Sequence, residues 1–145
     1  MEMYEVIKNL FQGNIEDAIE ASASRSVDWI VYLGSDLPEK LGFSSSIPVI
    51  HVPLRDNEQD ERKFEIVSKI MSLIKSQKIL VACRQGISRS PMVVVYYLLY
   101  SGYVFEGKNK YEDFRKACGV VENKVAEFRP EPSMFKMIEE KFIES

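Results

Sequence analysis

The segment Cys83-Arg84-Gln85-Gly86-Ile87-Ser88-Arg89-Ser90 gathers a thiol, two guanidiniums and two hydroxyls into one short stretch. It follows Lys78–Ala82 (KILVA), a continuous apolar run of the kind expected for a strand buried on both faces. It precedes Ser90–Tyr100, which reads as a helix with Pro91 in its first turn and Gly102 just past its end. A loop entering a helix N-terminus presents unpaired N–H groups at the positive end of the helix dipole. Such a place holds a dianion, and the same field favours a thiolate. Gly86 permits a bend that a side chain would obstruct. Arg89 can fork two hydrogen bonds to phosphate oxygens. The chemistry expected is attack by Cys83 on a bound phosphate. A nucleophile, an amide cradle and a charge clamp thus occur within one short loop.

Elements of two periods must position this loop. Tyr4–Phe11 reads as an opening strand. Asn14, with Asp17 three residues on, reads as the N-cap of a helix through Ile15, Ala18 and Ile19. Val27–Leu33 and Ile47–Val52 are rich in β-branched and aromatic residues and predict strands, with Trp29 in the core. Phe64, Val67, Ile70, Met71 and Ile74 recur at helical spacing. Tyr111–Ala117 predicts a helix ending before Gly119, and Ser133 reads as the N-cap of a last helix carrying Met134, Met137, Ile138 and Ile143. The alternation points to one α/β domain over residues 1–145: a central, mostly parallel twisted sheet flanked by helices on both sides.

Composition narrows the function classes. The chain has 145 residues, 46% hydrophobic and 28% charged, and 19 Lys and Arg against 22 Asp and Glu give a net charge of -3. A net acidic chain offers no bulk attraction to nucleic acid or anionic membrane. The longest apolar run, Met92–Tyr100, falls far short of the roughly 18 residues that span a bilayer. The N-terminal residues lack a basic and apolar leader, so no secretory signal is expected. Two cysteines, Cys83 and Cys118, do not make a disulfide framework, and a reducing cytoplasm is the expected location. A monomer is expected.

The pattern Cys-x-x-Gly-x-Ser-Arg-Ser over Cys83–Ser90 resembles the signature loop of the protein tyrosine phosphatase superfamily, in its dual-specificity form. IKNLFQGNIEDA (7–18), HVPLRD (51–56), VVYYLLYSG (94–102) and RPEPSMF (129–135) are similar to that family's first strand and turn, acid loop, helix behind the loop and entry to the last helix. The loop's place past the middle of the chain separates it from low-molecular-weight phosphatases and arsenate reductases, whose similar loop lies near the N-terminus.

This resemblance implies Cys83, Arg89, Asp56 and Ser90 as the catalytic set, and Arg84, Gln85, Gly86, Ile87, Ser88 and Arg89 as the phosphate-binding residues. Asp56 would be the general acid on a loop upstream of the cysteine, with Asp60 in reserve, although Asp60 fits better as the N-cap or first-turn acid of the following helix. Ser90 would help the thiolate leave, and neither metal nor cofactor is implied. Substrates would be phosphorylated proteins or peptides, phosphotyrosine and also phosphoserine and phosphothreonine. The family usually has histidine immediately before the nucleophile, where this chain has Ala82; an activity optimum at higher pH is expected. Phosphoinositide or RNA 5′-phosphate hydrolysis within the superfamily stays open, as does a phosphate-binding module without turnover. His51 is expected to be a hydrogen-bonded structural residue, Cys118 a packed thiol, and Arg129 an exposed charge or a weaker contact to substrate.

Overall fold

The computed structural model describes residues 3–44 and 46–145. Five strands form one sheet in the order β1-β2-β5-β3-β4: β1 Tyr4–Ile7, β2 Leu10–Gly13, β3 Trp29–Tyr32, β4 Val49–His51 and β5 Ile79–Ala82. β1 runs antiparallel to β2, and the other pairings are parallel. The single opening strand expected over Tyr4–Phe11 is therefore a hairpin. Asn9, at φ 68°, makes the turn, and its N–H is held by the Glu5 carboxylate at 2.9 Å.

Five helices cover the sheet: α1 Ile15–Ser24, α2 Glu61–Leu73, α3 Arg89–Tyr100, α4 Lys110–Glu122 and α5 Pro132–Glu144. Alternation along the strands divides the core. Ile30, Tyr32, Leu80 and Ala82 pack with Ala18 and Ala21 of α1 on one face. Val31, Val81 and Cys83 join the apolar residues of α2–α5 on the other. β5 lies between β2 and β3, and all four of its residues are buried. Leu80 and Val81 have no exposed surface. At about 1.5–3 kcal/mol for a buried aliphatic side chain against about 1 kcal/mol for a loop hydrogen bond, strand burial anchors Cys83.

Several ends differ from the sequence reading. α4 runs through Gly119 because Val121 is buried and Val120 packs on the core, which holds the last turn. Glu131, not Ser133, caps α5: its carboxylate accepts the Met134 N–H at 2.8 Å and the Ser133 hydroxyl at 2.6 Å. Trp29 is half-buried at the start of β3, its indole N–H donating to Gln77, because it sits at the strand's rim. The Asn14–Asp17 capping box of α1 is as expected, and Asp60 caps α2. Among the described residues no helix is long and apolar enough to cross a membrane.

The topology makes a site. The connection β2-α1-β3 crosses one face of the sheet and β4-α2-β5 the other. All four parallel strands therefore release their following loops at one edge, the position where open α/β sheets hold ligands. Asn14, Asp36, Asp56 and the loop after Cys83 all lie there.

Candidate active site

Cys83 leaves β5 buried, with 2% of its surface exposed. Its Sγ meets the Gly86 amide at 3.3 Å, the Ser90 amide at 3.4 Å and the Ser90 hydroxyl at 3.3 Å. The loop from 83 to 90 thus curls around the sulfur. The Ser90 Oγ is also 3.4 Å from the Gly13 carbonyl, so one rotation of the O–H selects between sulfur and backbone. Gly86 makes the curl at φ 76°, and a Cβ there would come within 3.0 Å of the Asn14 nitrogen. The loop carbonyls are bonded from outside. Arg84 accepts from the Ile15 N–H at 3.3 Å, Gly86 from the Gln12 side chain at 3.0 Å, and Ile87 from the Arg129 N–H at 2.8 Å. With carbonyls tied outward, the amides of Gly86 and Ser90 converge on the sulfur.

Arg89, at the first turn of α3, donates through Nη1 to the Leu54 carbonyl at 3.0 Å. Leu54 is buried and donates its own N–H to the Leu33 carbonyl at 2.9 Å, so the loop that carries Asp56 begins from the sheet. Two residues on, Asp56 brings Oδ1 to 4.0 Å from Arg89 Nε, with its side chain 72% exposed. Asp56, Cys83, Arg84, Gln85, Ile87, Ser88 and Arg89 line one cavity of about 220 Å³. A larger groove of about 590 Å³ between α2 and α3 holds no thiol. The smaller cavity brings together a thiol, a carboxylate and a guanidinium.

Of the other residues singled out, Asp60 is engaged with the Arg62 N–H at 3.1 Å and turned to its helix. His51 Nε2 bonds to the Gly34 carbonyl at 2.7 Å, and its ring stacks on Tyr32. Arg129 is exposed and pairs with Glu127; its backbone, not its side chain, braces the loop. Burial pushes the Cys118 thiol up to about 12, which leaves it inert.

Four supporting residues were not legible in the sequence. Asp36 pairs with Arg84 at 2.6 Å and accepts from the Tyr32 hydroxyl at 3.3 Å. Burial first, and then the Asp36 charge, pushes the Tyr32 phenol up to about 12, so it is a neutral donor. Gln12 reaches the loop from β2, and its buried Oε1 has no hydrogen-bond partner among the described residues. Glu58, fully buried, organises the turn that carries Asp56. The polar character of Gln12 within an apolar strand was the one available signal; the others depend on pairings between distant segments.

No family model matches the chain. It is 30% identical over 106 residues, 70% of its own length and 70% of the relative's, to "Putative tyrosine phosphatase 123R" of Invertebrate iridescent virus 6. Among solved structures it is similar to human DUSP28, with a TM-score of 0.78 and 22% identity over 99% of this chain and 94% of that one. It is also similar to OH1 from the Orf virus, a tyrosine phosphatase, with a TM-score of 0.82 and 14% identity over 100% and 88%. By this kinship the chain belongs to the protein tyrosine phosphatase family and is a phosphatase, with the fold that it shares with DUSP28 and OH1.

Proposed function

We propose that the chain dephosphorylates phosphotyrosine, and also phosphoserine and phosphothreonine, in protein substrates through a phosphocysteine at Cys83. The observation that carries this is the convergence of Cys83, Arg89 and Asp56 on one cavity, with two loop amides already aimed at the sulfur. In the first step the thiolate attacks phosphorus in line. An S–P bond forms, the bond to the substrate oxygen breaks, and Asp56 gives its proton to that oxygen. The loop amides and the Arg89 fork hold the equatorial oxygens as charge shifts among them. In the second step water attacks phosphorus and gives a proton to the Asp56 carboxylate. The S–P bond breaks, and the Ser90 hydroxyl, 3.3 Å from Sγ, donates to the departing thiolate.

Arg84, Gln85, Gly86, Ile87 and Ser88 supply the backbone of the cradle. The Arg84 side chain is turned to Asp36, which partly cancels its charge at the rim. A net acidic chain with one paired arginine at this rim favours peptides over RNA or inositides. The reading calls on no metal or cofactor, and places the chain as a monomer in the cytoplasm. Phosphotyrosine should react fastest, because phenoxide leaves more readily than alkoxide.

The test is hydrolysis of an aryl phosphate and of phosphotyrosine, phosphoserine and phosphothreonine peptides, with reductant. Wild type is compared with Cys83→Ser and Asp56→Ala. Loss of all turnover in the first and a strong reduction in the second are expected. Wild-type protein that binds phosphate but turns over no substrate would leave a binding module instead.

A further inference from the structure

Glu58 has no exposed surface, yet it carries a carboxylate. Its Oε1 accepts the Arg55 N–H at 3.1 Å and the Lys63 ammonium at 3.1 Å. Its Oε2 accepts the Asp60 N–H at 3.2 Å and lies 3.5 Å from the Arg55 guanidinium. The Glu58 amide closes the turn by donating to the Arg55 carbonyl at 3.1 Å. One side chain therefore pins the backbone on both sides of Asp56 and Asn57 and ties it to the first turn of α2.

Asp56 has little else to hold it. Its side chain is 72% exposed, and a 4.0 Å approach to Arg89 is too long to fix its direction. Its placement over the cavity must come from the backbone that carries it. Burying an ion costs several kcal/mol unless donors compensate. Burial alone would raise the Glu58 pKa, but the Arg55 N–H and Lys63 outweigh it and hold the group at about 2, charged at any working pH. An apolar side chain could fill this volume, yet it could not accept from two amides and an ammonium.

We propose that Glu58 is a positioning residue for proton transfer: by clamping Arg55, Asp60 and Lys63 it holds the turn from which Asp56 faces Cys83 and Arg89. The inference rests on Asp56 being the proton donor, as read above.

Proton donation matters most when the leaving group is poor. The experiment measures kcat/KM on p-nitrophenyl phosphate and on a phosphoserine peptide for wild type, Glu58→Gln, Asp56→Ala and the double variant. Glutamine keeps the shape but turns an amide NH₂ toward a backbone N–H. Glu58→Gln is expected to lose about 10–100-fold on the phosphoserine peptide and no more than about threefold on the aryl ester. In the Asp56→Ala background it should change either rate by less than about twofold, since two residues acting through one proton are not independent. Inhibition by vanadate should be unchanged, which reports an intact phosphate loop. If Glu58→Gln does not fold, Lys63→Met removes one donor from the same hub and should show a smaller loss of the same leaving-group dependence.

Equal losses on both substrates, losses that multiply in the double variant, or wild-type rates in Glu58→Gln overturn the proposal. Should Asp56→Ala itself show no leaving-group dependence, the acid assignment falls, and the role of Glu58 with it. A normal Asp56→Ala response beside an unaffected Glu58→Gln overturns the positioning alone.

Discussion

The guanidinium of Arg89 donates to the carbonyl of Leu54 at 3.0 Å, so the loop around Cys83 and the loop that carries Asp56 share a hydrogen bond. The residue proposed to clamp phosphate thereby also registers the segment that carries Asp56. Its side chain is 15% exposed, so this bond is largely shielded from water.

Arg89→Lys keeps the charge and loses the fork. An ammonium cannot hold the Leu54 carbonyl and two phosphate oxygens in one plane. At about 1.5–3 kcal/mol for each hydrogen bond to a charged group, kcat/KM should fall about 10²–10⁴-fold. Steady-state kinetics with an aryl phosphate measure this, and a loss below about tenfold would remove Arg89 from the clamp.

Ser90→Ala separates the two chemical steps. The hydroxyl lies 3.3 Å from Sγ and 3.4 Å from the Gly13 carbonyl, and it is buried with no exposed surface. Without it, the thiolate should leave the phosphocysteine more slowly, while its formation is little changed. Rapid mixing should then show a burst of released alcohol followed by a slow steady state. A linear time course at the wild-type rate would place Ser90 outside the second step.

Much of this was legible because the relevant signals are local. A buried strand, a glycine bend and a helix start adjoin in sequence between Ile79 and Tyr100, and the structure keeps them adjacent. Asn14 and Asp60 were legible as caps for the same reason. The hairpin at Asn9 was missed because residues 4–11 form one β-prone run, and only pairing shows where it reverses. Gly119 misled because glycine's helix cost of about 1 kcal/mol is outweighed by burial of Val121. Asp36, Tyr32 and Glu58 carry no motif of their own. Their roles exist only once the loops after β3, β4 and β5 meet at one edge of the sheet.

Gly86→Ala should harm both fold and activity. The residue sits at φ 76°, and an added Cβ would press on the backbone of Gly13 and Asn14 at 3.0 Å. These are backbone atoms and cannot swing aside. A cost of about 1–3 kcal/mol is expected in chemical denaturation, together with loss of turnover. Full stability in this variant would mean that the loop has room to rearrange.

Ala82→His tests whether this fold can accept the histidine that the family resemblance leads one to expect before Cys83. Ala82 has no exposed surface and packs in the cluster of Ala18, Ala21 and Tyr32. An imidazole there overpacks a filled layer, and a loss of about 1–3 kcal/mol is expected. A thermal melt unchanged from wild type would show that Tyr32 and α1 yield without strain.

Glu58 should leave a signature in stability against pH. Its folded value of about 2 lies below the ordinary 4.5, so the native state binds the proton less readily than the unfolded chain. The resulting stabilisation is fully present above about 4.5 and is lost as pH falls toward about 2, where the folded carboxylate protonates. Its full size is about 3 kcal/mol, at 1.36 kcal/mol for each pH unit of difference. Because the group has no exposed surface, solvent screens it little. Glu58→Gln removes the titration, so the gap in unfolding free energy between wild type and variant should be constant above pH 5 and close between about 4.5 and 2. Urea unfolding across that range measures the gap directly. A gap that stays constant to the acid end would mean that Glu58 holds the turn by shape alone, and that its charge is not what the Arg55 and Asp60 amides and Lys63 recognise.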